Sequence, residues 1–205
     1  MFKFFKKIYK PLFFFCLCFF SVFVLIGCLG GQTNDTSSGK KSGKRSSALH
    51  QEMAIGSEAP DFTAKLNNGE TFTLSDKKGQ VILLNFWATW CPPCKAEMPD
   101  IQKLYEKSAT EGEDAVIVLG VAAPNMGQEG SEEEIAAFME EKGYTYPVLM
   151  DTEGELFNSY GIMSFPTTFM IDRDGNVFGY VSGMLSADMM DSIVRQTLDG
   201  KMEGR

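Results

Sequence analysis

The sequence predicts an α/β fold in which helices flank a central, mixed β-sheet. Strand-like and helix-like segments alternate from about residue 62 onward, a pattern typical of a sheet layered with helices. The last two predicted strands, residues 167–171 and 177–181, are joined by the short turn Asp172–Asn176, so they form an antiparallel hairpin within that sheet. Residues 48–205 are enough for one hydrophobic core and show no internal repeat.

The first predicted elements are an N-terminal β-hairpin and a buried strand. Phe62–Leu66 and Thr71–Leu74 have strand composition and are separated by Asn67-Asn68-Gly69, a turn that requires a positive φ. Val81–Phe86 is an apolar run of the kind that forms a central strand covered on both faces. We therefore place the hairpin before the first core strand.

A helix is predicted from Pro93 to Lys107. Its apolar residues recur at helical spacing: Met98, Ile101, Leu104 and Tyr105. Pro99 lies inside it and removes one backbone hydrogen bond, so a bend is expected there.

The next predicted strand, Ala115–Val121, is followed by an excursion over residues 122–143. Ser131 and Glu134 have capping-box spacing, which predicts that a helix begins at Ser131. The fold is thus expected to carry a helical insertion after its second core strand.

The remaining elements complete the alternation. Pro147–Met150 is predicted as a short strand and Glu153–Tyr160 as a short helix. Thr167–Ile171 and Val177–Val181 form the hairpin described above. The last predicted helix, Ser186–Leu198, begins with Ser186 as its cap.

Two thiols, Cys91 and Cys94, lie at the point where a predicted strand gives way to a helix. A Cys-x-x-Cys motif in this position is typical of a reactive dithiol. The free N–H groups of the first helical turn favour a thiolate at Cys91, and thiols in such motifs have pKa values of roughly 3.5–7.5 against about 8.5 for a free cysteine. Cys94 lies one turn deeper, so Cys91 is expected to attack first.

Other uses of these cysteines are weaker hypotheses. A structural zinc site needs four ligands, and the remaining candidates lie before the predicted fold: Cys16, Cys18, Cys28 and His50. A purely structural disulfide would close a very short loop and stabilise little. Unreactive core cysteines are disfavoured because Pro92 and Pro93 favour a helix start.

Residues 1–28 have the layout of a secretory signal, with a basic start followed by the apolar run Leu12–Ile26. Leu25-Ile26-Gly27-Cys28 resembles the bacterial lipobox, which predicts that Cys28 becomes a lipid-modified N-terminus. An uncleaved membrane anchor is the alternative. Residues 29–50 are polar and predict a flexible tether, and residues 51–205 form the predicted folded domain.

The folded part is strongly acidic. Residues 48–205 hold 11 Lys and Arg against 26 Asp and Glu, which gives 11 − 26 = −15, whereas the whole chain has a formal charge of −8. A domain of this charge is not expected to bind nucleic acid or to lie on an anionic membrane.

The segment Phe86–Lys95, F-W-A-T-W-C-P-P-C-K, resembles the active site of the thioredoxin superfamily, and within it the membrane-tethered TlpA/ResA branch. Pro99 matches the proline that kinks the active-site helix. Ser164–Phe169 resembles the loop whose proline is cis and faces the dithiol, and Asp172–Asn176 resembles the hairpin turn after it. Glu97 matches the acid that the ResA-like branch places beside the second cysteine.

Three residues depart from the wider thioredoxin pattern. Asn85 stands where cytoplasmic thioredoxins carry a buried aspartate, Ser164 replaces a glycine, and Phe165 is bulkier than usual. A peroxiredoxin is disfavoured, because the Pro-x-x-x-Thr-x-x motif before its cysteine is missing. These departures affect the expected substrate preference and the source of the acid, not the fold.

The resemblance implies a thioredoxin-like fold and a thiol-disulfide oxidoreductase. It makes Cys91 the attacking thiol, Cys94 the resolving thiol and Glu97 the group that accepts the Cys94 proton, with an ordinary solvated glutamate as the alternative for Glu97. The residues it assigns to substrate binding are Trp90, Pro92, Phe165 and Pro166. Phe165 would present its backbone to an extended substrate, Trp87 is expected in the core, and the redox-active disulfide is the only cofactor expected.

The resemblance also implies partners. The expected electron donor is a membrane thiol carrier of the CcdA/DsbD type, and the expected clients are exported proteins with disulfides, such as apocytochrome c or methionine sulfoxide reductases. Three alternatives stay open: a dithiol oxidant, a copper-handling thiol lipoprotein, for which Met98 is a poor third ligand, and a non-catalytic lipoprotein that retains the fold.

Overall fold

A seven-stranded sheet forms the centre of the computed structural model, which describes residues 54–108, 112 and 114–202. Its strands are β1 (Thr63–Leu66), β2 (Thr71–Thr73), β3 (Val81–Phe86), β4 (Val116–Ala122), β5 (Val148–Met150), β6 (Thr167–Ile171) and β7 (Val177–Ser182). The helices are α1 (Pro92–Lys107), α2 (Glu132–Lys142), α3 (Glu155–Ser159) and α4 (Ala187–Asp199). The predicted signal, Cys28 and the tether lie outside these residues. No helix within the described ranges has the length and apolar character needed to cross a membrane.

The sheet is mixed, as predicted. Its strands follow the order β2-β1-β5-β4-β3-β6-β7. The three central strands β5, β4 and β3 run parallel, while β6 and β7 on one side and β1 and β2 on the other are antiparallel to their neighbours. β3 therefore lies between β4 and β6. Residues 87–91, which connect β3 to α1, begin at an interior strand of the sheet.

Both predicted hairpins are present. Gly69 has φ 87°, the left-handed conformation expected for the turn between β1 and β2. In the second hairpin, the Asp172 carboxylate accepts hydrogen bonds from the N–H groups of Asp174 and Asn176, which closes the turn between β6 and β7.

The two faces of β3 feed two hydrophobic clusters, because successive side chains of a strand point to opposite sides. Ile82, Leu84 and Phe86 pack in one cluster with other aromatic residues. Val81, Leu83 and, just past the strand, Trp87 pack in the other cluster with side chains of α1 and α4. By the same alternation Asn85 faces α1, although it is polar.

Helices α2 and α4 begin where their capping residues predict. Helix α1 has Cys91 as its N-cap, one residue earlier than expected, and continues through Pro99. The capping box of Ser131 and Glu134 opens α2, and Ser186 caps α4 by accepting a hydrogen bond from the Met189 N–H. The third helix, α3, is shorter than predicted: it begins at Glu155, because Gly154 before it adopts φ 71°, and it ends at Ser159.

Candidate active site

A tight turn carries the chain from β3 into α1. The Cys91 N–H donates to the Ala88 carbonyl at 3.1 Å, so residues 88–91 form the turn and Cys91 becomes the helix N-cap. The Cys91 Sγ atom accepts a hydrogen bond from the Cys94 N–H at 3.2 Å. The first turn of α1 thus directs a backbone donor at this sulfur, in the arrangement that stabilises a thiolate.

Cys91 and Cys94 are joined as a disulfide, with their Cα atoms 5.3 Å apart. This pairing excludes two unpaired core cysteines. Cys91 is 3% exposed and Cys94 is fully buried, so both are buried and Cys91 is only slightly the more accessible of the two. Cys91 is thus much less exposed to solvent than its position at the start of the helix suggested.

Glu97 is a buried acid, one helical turn beyond Cys94. It is 1% exposed, so the interpretation as an ordinary solvated glutamate is wrong. Its carboxylate accepts hydrogen bonds from Asn85 Nδ2 and from the Leu185 N–H, each at 2.8 Å. Burial raises the pKa of the Glu97 carboxyl, and the two hydrogen bonds oppose this shift without cancelling it.

Asn85 holds Glu97 from the sheet. Besides its bond to Glu97, the Asn85 side-chain amide donates to Thr168 Oγ1 at 2.9 Å, across the pairing of β3 with β6. Asn85 Oδ1 has no hydrogen-bond partner among the described residues. The sequence offered one signal for this role, since a polar residue in an apolar strand needs a buried partner. It offered none for the Leu185 N–H.

Trp90 and Phe165 form an aromatic rim beside the disulfide: Trp90 directly precedes Cys91, and Phe165 packs on the cluster that contains both cysteines. Trp90 is 41% exposed, and its ring meets Phe165 edge-to-face at 5.7 Å between centroids. Phe165 is half-buried and in turn packs on Phe157 at 5.6 Å. Pro92 is exposed beside Cys91. Trp87 is fully buried against Phe138, as predicted for a core residue.

The Phe165–Pro166 peptide is cis, as the resemblance implied. Pro166 is buried, and its carbonyl accepts a hydrogen bond from the Gly183 N–H at 2.8 Å. The Thr167 hydroxyl donates to the Ser164 carbonyl at 2.9 Å, which closes the loop from the other side. Of the proposed binding residues, Trp90 and Pro92 are exposed, Phe165 is half-buried and Pro166 is buried.

The zinc and copper hypotheses can be compared with the part of the chain that the structure describes. Within it, no group of three or more His, Cys, Asp or Glu side chains is arranged to hold a metal ion. Met98, the weak third ligand of the copper hypothesis, is fully buried in the core next to α4.

Comparison with known proteins agrees with this geometry. Residues 55–179 match the model of the AhpC/TSA family. The thiol-disulfide oxidoreductase ResA of Bacillus subtilis is 33% identical over 154 residues, which span 75% of this chain and 82% of ResA. The thioredoxin-like protein YneN of the same organism is 36% identical over 169 residues, 82% of this chain and 89% of YneN.

A solved structure gives the same result. The exposed lipoprotein thioredoxin Etrx1 of Streptococcus pneumoniae strain TIGR4 superposes with a TM-score of 0.61 at 32% identity, covering 67% of this chain and 99% of Etrx1. The chain belongs to the AhpC/TSA family, has a thioredoxin-like fold, and is a thiol-disulfide oxidoreductase of the ResA type.

Proposed function

We propose that this oxidoreductase works outside the cytoplasm as a lipid-anchored disulfide reductase, with Cys91 as attacking thiol, Cys94 as resolving thiol and Glu97 as proton acceptor. The observation that carries the proposal is the Cys91–Cys94 disulfide at the first turn of α1, with a buried carboxyl three residues further along the same helix.

The reaction begins with the reduced protein. The Cys91 thiolate attacks one sulfur of a client disulfide, forming a mixed disulfide and releasing the other client sulfur as a thiolate. The Cys94 thiol then loses its proton and attacks Cys91 Sγ, which re-forms the Cys91–Cys94 disulfide and releases the second client thiolate. Two electrons pass to the client, and a membrane thiol carrier of the CcdA/DsbD type supplies two electrons to restore the dithiol.

Glu97 suits the second step. Cys94 is fully buried, so its thiol needs an internal proton acceptor before it becomes nucleophilic. Burial raises the pKa of Glu97, which makes its carboxylate a better proton acceptor. The Leu185 N–H and Asn85 still favour the charged form, so the group can cycle between both states.

The rim supports recognition of a polypeptide client. Trp90 and Phe165 offer accessible aromatic area beside Cys91, a residue that is itself only 3% exposed. A client disulfide must therefore be held against the rim, with its chain extended along Phe165, to come within reach of Cys91. Exported proteins such as apocytochrome c or methionine sulfoxide reductases are the proposed clients.

The location outside the cytoplasm is supported by the signal-like residues 1–28, with Cys28 as the lipid anchor, and by similarity to a protein described as an exposed lipoprotein. The exported setting also suits a dithiol that meets client disulfides, which are rare in the cytosol.

A trapping experiment tests the proposal. In the full chain with Cys94→Ser, the mixed disulfide on Cys91 cannot resolve, so clients should remain attached through Cys91 and be identified after purification from membranes. Cys91→Ser is the matched control and should capture none. The reduction potential of the wild-type dithiol should lie nearer the roughly −270 mV of a reductant than the roughly −120 mV of a strong oxidant. Absence of Cys91-dependent capture together with failure to reduce insulin would contradict the proposed activity.

A further inference from the structure

Thr89 forms one corner of the turn that leads to Cys91, and it is anchored from outside that turn. Its N–H donates to Glu129 Oε2 at 2.7 Å, and its hydroxyl donates to Glu129 Oε1 at 2.5 Å. Both residues are half-buried. A carboxylate that receives two donors from one residue fixes both the position and the direction of that residue.

Glu129 itself is held by a closed loop between β4 and α2. The Asn125 N–H donates to the Gly130 carbonyl at 2.8 Å, and the Glu129 N–H donates to the Met126 carbonyl at 3.0 Å. The Glu129 carboxylate also accepts the Gly130 N–H at 3.0 Å. The carboxylate is therefore a fixed point supplied by the insertion, not a free side chain that happens to reach the turn.

We propose that Glu129 is a positioning residue for the dithiol reaction: through Thr89 it holds the 88–91 turn, and with it Trp90 and Cys91, in the arrangement that reacts. The inference rests on the proposed role of Cys91 as the attacking thiol. Cys91 is almost fully buried, so a small change in the turn alters both access to its sulfur and the Cys94 N–H bond that stabilises the thiolate.

Substitution can separate the effect of the Glu129 hydrogen bonds on the position of the turn from the effect of the Glu129 charge on the pKa of Cys91. Glu129→Ala removes the acceptor oxygens and the charge, whereas Glu129→Gln removes the charge but keeps one oxygen that can accept from Thr89. If Glu129 acts by position, Glu129→Ala raises the pKa of Cys91 and slows reduction of a model disulfide about tenfold, and Glu129→Gln recovers part of both. If only its negative charge mattered, both variants would lower the pKa of Cys91 equally.

The experiment measures alkylation of Cys91 by iodoacetamide against pH in the reduced full chain, insulin reduction, and thermal unfolding. Thr89→Ala should resemble Glu129→Ala, and the double variant should be no worse than either single variant because the two residues act as one unit. Asp172→Ala is the matched control. Its carboxylate also accepts two backbone N–H groups in a turn, but this turn follows the last residue of β6, whereas the Pro166 loop precedes the first. Asp172→Ala should lower the temperature of thermal unfolding without changing the pKa of Cys91 or the rate of insulin reduction.

An unchanged pKa and rate in Glu129→Ala, or an equal fall in the pKa of Cys91 in both Glu129 variants, overturns the inference. Alkylation reports on Cys91 without any client. If the wild-type protein neither captured clients through Cys91 nor reduced insulin, the proposed function would therefore fall, while the positioning role would still be decided by the Cys91 titration.

Discussion

At the scale of single residues, the most telling feature is a carboxyl group that is buried yet hydrogen-bonded on both oxygens. Two donors at 2.8 Å would ordinarily hold a carboxyl in its charged form. The pKa of Glu97 is nevertheless raised, because loss of solvent outweighs both bonds. Such a balance is expected where a group must gain and lose a proton during a reaction.

Glu97→Gln should separate the two chemical steps. Attack by Cys91 should change little, while resolution by Cys94 should slow by about 10²-fold because the internal proton acceptor is lost. In the wild type, resolution should accelerate as pH rises through the pKa of Glu97, which lies above its ordinary 4.5, and the variant should lose this rise. Stopped-flow measurement of mixed-disulfide formation and decay gives both rates.

The control for this prediction lies on the same helix. Glu106 is exposed and accepts a hydrogen bond from Gln102, so Glu106→Gln changes a glutamate of α1 without approaching the dithiol. Equal resolution rates in the Glu97 and Glu106 variants would argue against a proton-accepting role for Glu97.

At the scale of elements, strand β4 contains a glycine, Gly120, with no space for a side chain. Gly120 pairs with Asn85 of β3, and a Cβ atom there would lie 2.7 Å from Trp87 Nε1 and 3.2 Å from Tyr146 Cε2. Its φ is not in the left-handed region, so glycine is required for space and not for backbone conformation. The strand that supports Asn85 thus depends on the absence of a side chain.

Gly120→Ala should therefore lower the free energy of unfolding by about 1–3 kcal/mol, because an added methyl group overfills a packed core. Gly179 of β7 is a matched control, since a Cβ there would meet only the end of Met202, at 3.9 Å. Gly179→Ala should be neutral or slightly stabilising. Chemical denaturation followed by the fluorescence of the buried Trp87 would measure both, and equal effects would contradict the steric argument.

Individual elements could be predicted because their signals are local. The apolar run of β3, the turn residues of the two hairpins and the cap at Ser131 each act within a few positions. The dithiol was predicted with its helix for the same reason. The rest of the site joins distant segments: Leu185 lies 88 residues from Glu97, and Thr89 lies 40 from Glu129. No periodicity or spacing marks such pairs, and Glu129 resembles its acidic neighbours in sequence.

At the scale of the whole molecule, charge and anchoring have to be considered together. Residues 48–205 carry a formal charge of −15, whereas all eight basic residues outside them precede residue 48. An anionic membrane would repel such a domain. If Cys28 is the anchor as proposed, the membrane would attract the four basic residues that remain before residue 48, which are Lys40, Lys41, Lys44 and Arg45. Under the proposed function, this charge distribution would keep Trp90 and Phe165 accessible to clients while the domain stays near its membrane thiol carrier.

The anchor itself can be tested in the full chain. If Cys28 ends a lipoprotein signal, protein extracted from membranes should lack residues 1–27 and carry a lipid-modified Cys28, as measured by mass spectrometry of its N-terminal peptide. Cys28→Ser should keep residues 1–27 and lose the lipid. Cys16→Ser and Cys18→Ser are controls, because both cysteines lie in the apolar run Leu12–Ile26 before Cys28, and both variants should be processed like the wild type. Recovery of residues 1–27 from the wild-type protein would instead establish an uncleaved anchor.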